Sequence, residues 1–449
     1  MSDPGVLLDL LDTAIARSDR IDAVRVAPGA IAGTGALCRD LFGGGPVLVI
    51  ADDNTWRAAG DALSASLEAV GLSVETHVLP GVPRVKPTRE LGDLLAAAIA
   101  EDRTPVALGS GVINDLVKYA AYERGRAYLC VPTAASMDGY TSAGSPLSDR
   151  GFKKTIQCRP PRAIVADLDI IADAPPAMTG WGFGDLAGKV PAGADWVLAD
   201  ALGIEPIDDV AWPLVQDRLK NWLANPDALT GGDRRAIAEL FTGLALVGLA
   251  MEFHGSSRPA SGADHQIAHL WEMEDLVFAG ERVSHGACVA VGCVATLALY
   301  DWLLDQDLGT LDIDAIVASA PSLEDKEAEI DRRFPNPQIA DRAKAETREK
   351  HLPPAVHRDR LEALRQIWPA TADRLKEQVL PVARMTDLLA KAGAPSDAAH
   401  IGVAPGHLRE TMAGARFIRS RYTILDFLEE TGLFDAALDA MFAEKVSSP

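Results

Sequence analysis

The chain has 449 residues, 48% of them hydrophobic, and carries a formal charge of −21 with an isoelectric point of about 4.8. That length leaves room for two or three ordinary domains, each with its own core. The acidic balance excludes nucleic acid and anionic lipid as partners, because both are polyanions that require Lys and Arg to neutralise them.

The opening residues, MSDPGVLLDLLDTAIARSD, lack the basic stretch and apolar core of a leader, and no run of roughly eighteen apolar residues occurs anywhere. A cytoplasmic protein without membrane insertion is therefore expected. The five cysteines (Cys38, Cys130, Cys158, Cys288 and Cys293) are odd in number and form no C-x-x-C pair, which fits free thiols in a reducing compartment.

From residue 46 short apolar runs alternate with amphipathic stretches: PVLVIAD, WRAAGDALSASLEAVG, VETHVLP, RELGDLLAAAIAED, PVALGSG, VINDLVKYAAYERG and AYLCVPT. Such runs, separated by helical patterns, predict βαβ units and a parallel sheet. Asp52 and Asp53 close the first run, where a carboxylate either accepts hydrogen bonds from an adenine ribose or is simply a solvated strand end. The turn Gly109-Ser110-Gly111 joins a strand to a helix, and its bare backbone and helix N-terminus suit a pyrophosphate. Asn114 stands where a dinucleotide fingerprint has its third glycine, and no Walker lysine follows, so the turn alone does not define a nucleotide site. Asp52 also precedes the glycine turn by nearly sixty residues, the reverse of the usual Rossmann order. Lys153 and Lys154, in SPLSDRGFKKTIQ, read either as a solvated hairpin tip or as contacts to an anionic substrate.

After about Asp169 the character changes. Pro175 and Pro176 interrupt the pattern and mark a hinge, dividing an α/β domain (1–174) from an all-helical domain (175–449), with a ligand cleft expected between them. Downstream, RRAIAELFTGLALVGLAMEF and ACVAVGCVATLALYDWLL are apolar at helical spacing, and Cys288 and Cys293 in the latter read as core. Residues 322–350 are dense in charge, contain Pro335 and Pro337, and predict solvated surface helices. Four of the nine histidines (His254, His265, His269 and His285) fall within thirty-two residues, and His265 and His269 share a helix face at i, i+4. Two imidazoles with a carboxylate such as Asp185, in GWGFGDLAGK, suit a divalent metal with open positions; structural or helix-capping histidines are the competing reading.

The runs GSGVINDLVKYAA, VPTAASMDGYTSAGSPL, GFKKT, PRAIVADLDIIADAP, GFGDLAGK, RPASGADHQIAHLWEME and SHGACVAVG resemble the bacterial sn-glycerol-1-phosphate dehydrogenases. These fall within the superfamily of iron-containing alcohol dehydrogenases, glycerol dehydrogenase and dehydroquinate synthase. The resemblance is strongest over residues 45–300, weaker in RFIRSRYTILDFLEETGLF, and absent over 301–400. It implies a Rossmann-like parallel-sheet domain followed by a helical domain, the dehydroquinate synthase-like fold. It also implies Asp185, His265 and His285 as ligands of one divalent metal (Zn²⁺, Ni²⁺ or Fe²⁺), with Asp138, Asp185 and His269 meeting the substrate. Gly111, Val112, Ile113, Asn114, Asp115, Thr133, Ala134, Ala135, Ser136 and Ser142 match dinucleotide contacts, and Asp52 at the ribose position favours NAD(H) over NADP(H).

Two positions depart from the family pattern. Lys189 stands where some relatives have a fourth ligand, a His, which implies three protein ligands; Asp264 stands where Glu is expected. The implied reaction interconverts dihydroxyacetone phosphate and sn-glycerol 1-phosphate in a homo-oligomeric enzyme, with His269 or Asp138 as candidates for moving the proton. Lys153, Lys154 and Arg258 are the basic residues nearest in sequence to these motifs and are expected at the phosphate. The alternatives are a dehydrogenase of an unphosphorylated polyol, and a dehydroquinate-synthase-like cyclase (a lyase), whose members have Glu where this chain has Asp185.

Overall fold

The computed structural model describes residues 4–443; Met1–Asp3, part of the stretch read above for a leader, and residues 444–449 lie outside the described residues. The apolar runs of the first third become strands β1 (Ala23–Ala27), β2 (Val47–Asp52), β3 (Val74–Leu79), β4 (Thr104–Gly109) and β5 (Leu129–Pro132). An antiparallel hairpin, β6 (Gly144–Asp149) and β7 (Phe152–Gln157), precedes the last sheet strand, β8 (Ala163–Asp167). Six strands form one parallel sheet in the order β1-β8-β5-β4-β2-β3.

Helices α1 (Pro4–Ile15), α2 (Thr34–Phe42), α3 (Asp53–Glu68), α4 (Arg89–Ala98) and α5 (Gly111–Glu123) accompany these strands. Successive strand residues face opposite ways, so Val47, Val49 and Ala51 pack with Cys38 of α2 and Leu63 of α3, while Leu48 and Ile50 pack with Leu95 of α4 and Leu116 of α5. Burial on both faces is why the strands read as continuous apolar runs, as a parallel sheet requires. After β2 the chain adds β3 on one side and then β4 on the other, so the strand order reverses between β2 and β4. The crevice outside the carboxyl ends of two such strands is the usual ligand position in open α/β sheets. Asp52 ends β2 and Ser110-Gly111 follows β4, so the two features sixty residues apart in sequence flank one crevice. This explains the reversed order noted above.

Helices α6 (Leu168–Ala172) and α7 (Pro176–Ala187) lead out of the sheet, with Pro176 at the first turn of α7. There follow α8 (Lys189–Ala201), α9 (Ala211–Trp222), α10 (Pro226–Thr230), α11 (Arg234–His254), α12 (Ala263–Met273) and α13 (His285–Leu304). Five more helices lie between residues 313 and 391, including Leu323–Arg333 and Pro337–Lys350 from the charge-dense stretch, and helices Pro405–Ala415 and Ile424–Glu430 flank a turn discussed below. The expectation of an entirely helical second half needs one correction: β9 (Val277–Phe278) and β10 (Glu281–Arg282) form a small antiparallel pair after α12. Helix α1 packs on α11, so the chain start leans on the helical half. Helices α11 and α13 are long and apolar enough to cross a bilayer by composition, yet most of each is buried inside the fold.

The two halves share one hydrophobic core, which runs from Ile50 and Ile113 to Phe183, Leu244 and Leu297. Their closest approach is at α7. A Cβ at Gly182 would lie 1.9 Å from the carbonyl oxygen of Ala135, and, within the helical half, one at Gly286 would lie 2.2 Å from that of Trp181. Glycine costs a helix about 1 kcal/mol relative to Ala, so its repeated use in WGFGDLAG is explained by backbone contact with the loop after β5 and with α13. Gly182→Ala is therefore expected to destabilise the fold by roughly 1–3 kcal/mol, as overpacking does, despite the better helix propensity of Ala. Denaturant unfolding checks this, and an unchanged or higher midpoint would contradict the close packing.

Candidate active site

The crevice opens into a cavity of about 1470 Å³ that extends from Asp52 and Ser110–Val112 to α12 and the start of α13. A space of that size exceeds a single small-molecule pocket, which leaves room for a dinucleotide and a substrate together.

At the cofactor end, Asp52 caps α3: its Oδ1 accepts hydrogen bonds from the amides of Asn54 (2.9 Å) and Thr55 (2.8 Å). Oδ2 carries no partner among the described residues, so the carboxylate both caps the helix and presents an oxygen at the cavity. Ser110 is the N-cap of α5 and makes no side-chain capping bond, so the first amides of that helix remain free for an anion. Gly111, Val112, Asp115, Thr133, Ser136 and Ser142 line the cavity. Ile113, Asn114, Ala134 and Ala135 do not: Ile113 packs in the core, and Asn114 accepts from Tyr128 Oη (2.9 Å) and donates to the Gly139 carbonyl (3.4 Å), bracing the loop from below. For these four the expected cofactor contact is corrected to support of the wall, because helix and loop geometry turn them inward.

Asp185, His265 and His285 converge, with ligand atoms all within 4.8 Å of one another. The residues behind them fit a metal. His265 Nδ1 lies 2.7 Å from Asp264 Oδ2 and His285 Nδ1 lies 3.0 Å from Glu272 Oε1, so each ring is held by a carboxylate and turns its Nε2 inward, as metal-binding imidazoles do. Glu272 itself is tied to Lys153 at 2.5 Å. A second trio, His269, Glu272 and His285, is equally close, but it would use the carboxylate that already orients His285, so the first set is the better ligand group.

Asp185 is fully buried and is held by two donors. Lys189 Nζ lies 2.6 Å from its Oδ1, and the Asp138 amide donates to its Oδ2 at 3.0 Å. Burial alone would raise its pKa, but Lys189, the hydrogen bond from His265 and nearby His285 outweigh burial and keep the carboxylate ionised well below the usual range. Lys189 also pairs with Asp138 at 2.7 Å, so where relatives have a fourth ligand this chain places an ammonium between two carboxylates. His269 is different. Its Nδ1 is buried without a partner, and burial, reinforced by Lys153, holds its pKa well below the ordinary value, so the ring is neutral and faces the cavity.

Two expected phosphate contacts are corrected. Lys154 points away from the cavity, because alternate residues of β7 face opposite sides and Lys153 takes the inner one. Arg258 is sealed inside the helical half, donating to the carbonyls of Tyr422 (2.9 Å) and Asp195 (2.9 Å) and pairing with Glu205 (3.2 Å). His254, also in the histidine cluster, packs at a tilt against Trp196 (ring centroids 5.1 Å apart, 57° between planes) beside Glu205 and Asp208 and is not part of the metal group. The five cysteines are free and buried, and burial pushes the thiols of Cys288 and Cys293 far up, as expected of core residues. Sequence reasoning missed Glu272, although its position seven residues after His265 places it on the same helix face. It also missed Arg419 and Arg421 on the cavity wall, which no local signal marks.

The mouth of the cavity is spanned by ion pairs between the loop after β3 and the β9–β10 segment: Arg84–Glu281 (3.1 Å) and Lys86–Asp275 (2.5 Å).

A sheet with its crevice at the β2/β4 reversal, a trio of candidate metal ligands on the helical side and a shared cavity define an architecture of the iron-containing alcohol dehydrogenase type. Consistent with this, the family model for iron-containing alcohol dehydrogenase matches residues 25–175. Among solved structures, a probable glycerol dehydrogenase from Sinorhizobium meliloti 1021 superposes with a TM-score of 0.60 at 18% identity, covering 94% of this chain and 98% of that one, a likeness of fold. The glycerol-1-phosphate dehydrogenase (NAD(P)⁺) of Bacillus licheniformis is 31% identical over 400 residues, covering 87% of this chain and 84% of the relative. The chain belongs to the glycerol-1-phosphate dehydrogenase family. The corresponding protein of Halalkalibacterium halodurans is 35% identical over 257 residues; that match covers 57% of this chain and spans 64% of the relative's length.

Asp115, on the cavity wall, supplies a pH test. Burial, only partly offset by Lys118, raises its pKa to about 6, above the unfolded value. The folded protein therefore binds a proton that the unfolded chain releases between about pH 4 and 6, and this group's contribution to stability is lost as pH rises through 6. Lys118 pairs with Asp115 at 3.5 Å and also donates to the Gly139 and Gly144 carbonyls. Asp115→Asn removes the penalty of ionising this buried carboxyl, so relative to wild type the variant is expected to be more stable at pH 8 than at pH 4, by up to about 2–3 kcal/mol. Thermal melts at both pH values measure this, and equal effects at the two would rule out the linkage.

Proposed function

We propose that the protein is a metal-dependent NAD(P)-linked dehydrogenase that interconverts dihydroxyacetone phosphate and sn-glycerol 1-phosphate. The observation that carries this reading is the convergence of Asp185, His265 and His285, each imidazole backed by a carboxylate, on the cavity that also receives the glycine turn after β4. A reduced nicotinamide dinucleotide held by Asp52 and the glycine turn after β4 would supply the hydride for the carbonyl carbon, and one proton would complete the new hydroxyl. A divalent ion held by the trio would act as a Lewis acid on the carbonyl oxygen.

The chain's own residues prepare that step. The free amides at the start of α5 bind the cofactor's pyrophosphate, and Asp52 Oδ2 is placed for the adenine ribose. Neutral His269 can donate one hydrogen bond and accept another, which suits holding and relaying a substrate hydroxyl proton. Asp138, paired with Lys189 at 2.7 Å, shapes the floor of the site. The buried walls exclude water from the reacting carbon.

His285→Ala is expected to abolish both turnover and bound metal while leaving the fold intact, measured as metal content, activity and circular dichroism on the same sample; full activity in metal-free protein would defeat the proposal. The cofactor reading is tested separately. A 2′-phosphate would meet the Asp52 carboxylate, so NADH is expected to be preferred over NADPH. Asp52→Asn keeps a good helix cap and removes the charge, and it should shift the kcat/KM ratio toward NADPH by about tenfold. A wild type that prefers NADPH, or a variant with an unchanged ratio, would contradict it.

A further inference from the structure

With Lys154 turned outward, Arg258 sealed in the helical half and Lys153 committed to Glu272, the substrate's phosphoryl group lacks its expected cations. A phosphate carries nearly two charges, and a protein of net charge −21 binds it only where cations are concentrated locally. The turn between helices Pro405–Ala415 and Ile424–Glu430 brings Arg419 and Arg421 to the cavity wall, with Arg421 against the segment that leads into α12.

Arg421 is held by neutral partners: Nη1 donates to the Ser261 carbonyl and Nη2 to Ser257 Oγ, both at 2.9 Å. Arg419 has no hydrogen bond or ion pair with any described residue. Each of the other basic side chains on the wall has a partner. Burial, with Arg258 and Arg419 adding to it, lowers the Arg421 pKa to about 9, and burial also lowers that of Arg419. Glu346 on the same wall and Glu205 offset part of the cost of burying these guanidinium groups without bonding to either, and their planar forks match phosphate oxygens in a bidentate manner. The location is also right. Ser257 and Ser261 immediately precede α12, which carries His265 and His269, and the charge of Arg419 is felt at His269.

We propose that Arg419, supported by Arg421 and the hydroxyl of Ser257, forms the phosphate subsite of the substrate pocket. The inference rests on the phosphorylated-substrate reading above and names the residues that select for it. Arg419, having no structural partner, is the residue to change, since Arg421 also braces the loop before α12.

The experiment compares wild type, Arg419→Met and Arg419→Lys with NADH and either dihydroxyacetone phosphate or dihydroxyacetone, alongside inhibition by inorganic phosphate. Arg419→Met should lose kcat/KM on the phosphorylated ketone by at least about tenfold more than on the free ketone, with inorganic phosphate no longer inhibiting. Arg419→Lys should recover part of the loss, and thermal melts of all three proteins should coincide. Equal losses on both ketones, or phosphate inhibition that survives in Arg419→Met, would overturn the subsite while leaving the dehydrogenase reading in place. A wild type that prefers free dihydroxyacetone yet is inhibited by phosphate through Arg419 would instead remove the phosphorylated substrate and leave the anion site.

Discussion

A carboxylate with no access to water is tolerated only when cations and donors surround it, and Asp185 sits under that constraint at the junction of the two halves. Its donors come from both sides. The Asp138 amide belongs to the loop after β5, whereas Lys189 and His265 belong to the helical half. Because Lys189 also holds the Asp138 side chain, the loop that borders the cofactor end and the helix that carries a metal ligand are locked to one another by three charged groups. The glycines of α7 permit the backbone approach that makes these distances possible.

In the proposed reaction that lock has a chemical purpose. Hydride transfer requires the nicotinamide and the carbonyl carbon to be held within a fraction of an ångström, and most of the catalytic advantage is lost if either drifts. Here the glycine turn after β4 and the candidate metal ligands sit on rigid elements, a helix N-terminus and three packed helices, and the second carboxylates Asp264 and Glu272 fix the rings that would face an ion. Orientation is thus built into secondary structure and needs no long side chain to find its place.

Much of this was legible in the sequence. The parallel sheet was visible because strands buried on both faces read as unbroken apolar runs, and the histidines stood out because His265 and His269 share a helix face. Asp52 and the glycine turn were found separately, but their proximity was not, since it depends on the reversal of strand order between β2 and β4. Charge was misjudged where nearness along the chain stood in for nearness in space. Arg258 is seven residues from His265 yet turns into the core, whereas Arg419 is more than 150 residues away and reaches the cavity. Lys154 failed for a simpler reason: adjacent residues of a strand face opposite sides, so only one of a basic pair can point inward.

The ion pairs across the mouth differ in kind from those on the floor. Arg84–Glu281 and Lys86–Asp275 are solvent-exposed, and pairs of that sort contribute at most about 1 kcal/mol each and weaken within a Debye length of roughly 8 Å at physiological salt. Asp138, Lys189 and Asp185 are shielded from that screening. The molecule is therefore stapled tightly at its hinge and only lightly at its lips, which in the proposed dehydrogenase would let a bulky dinucleotide pass the rim without loosening the floor of the site.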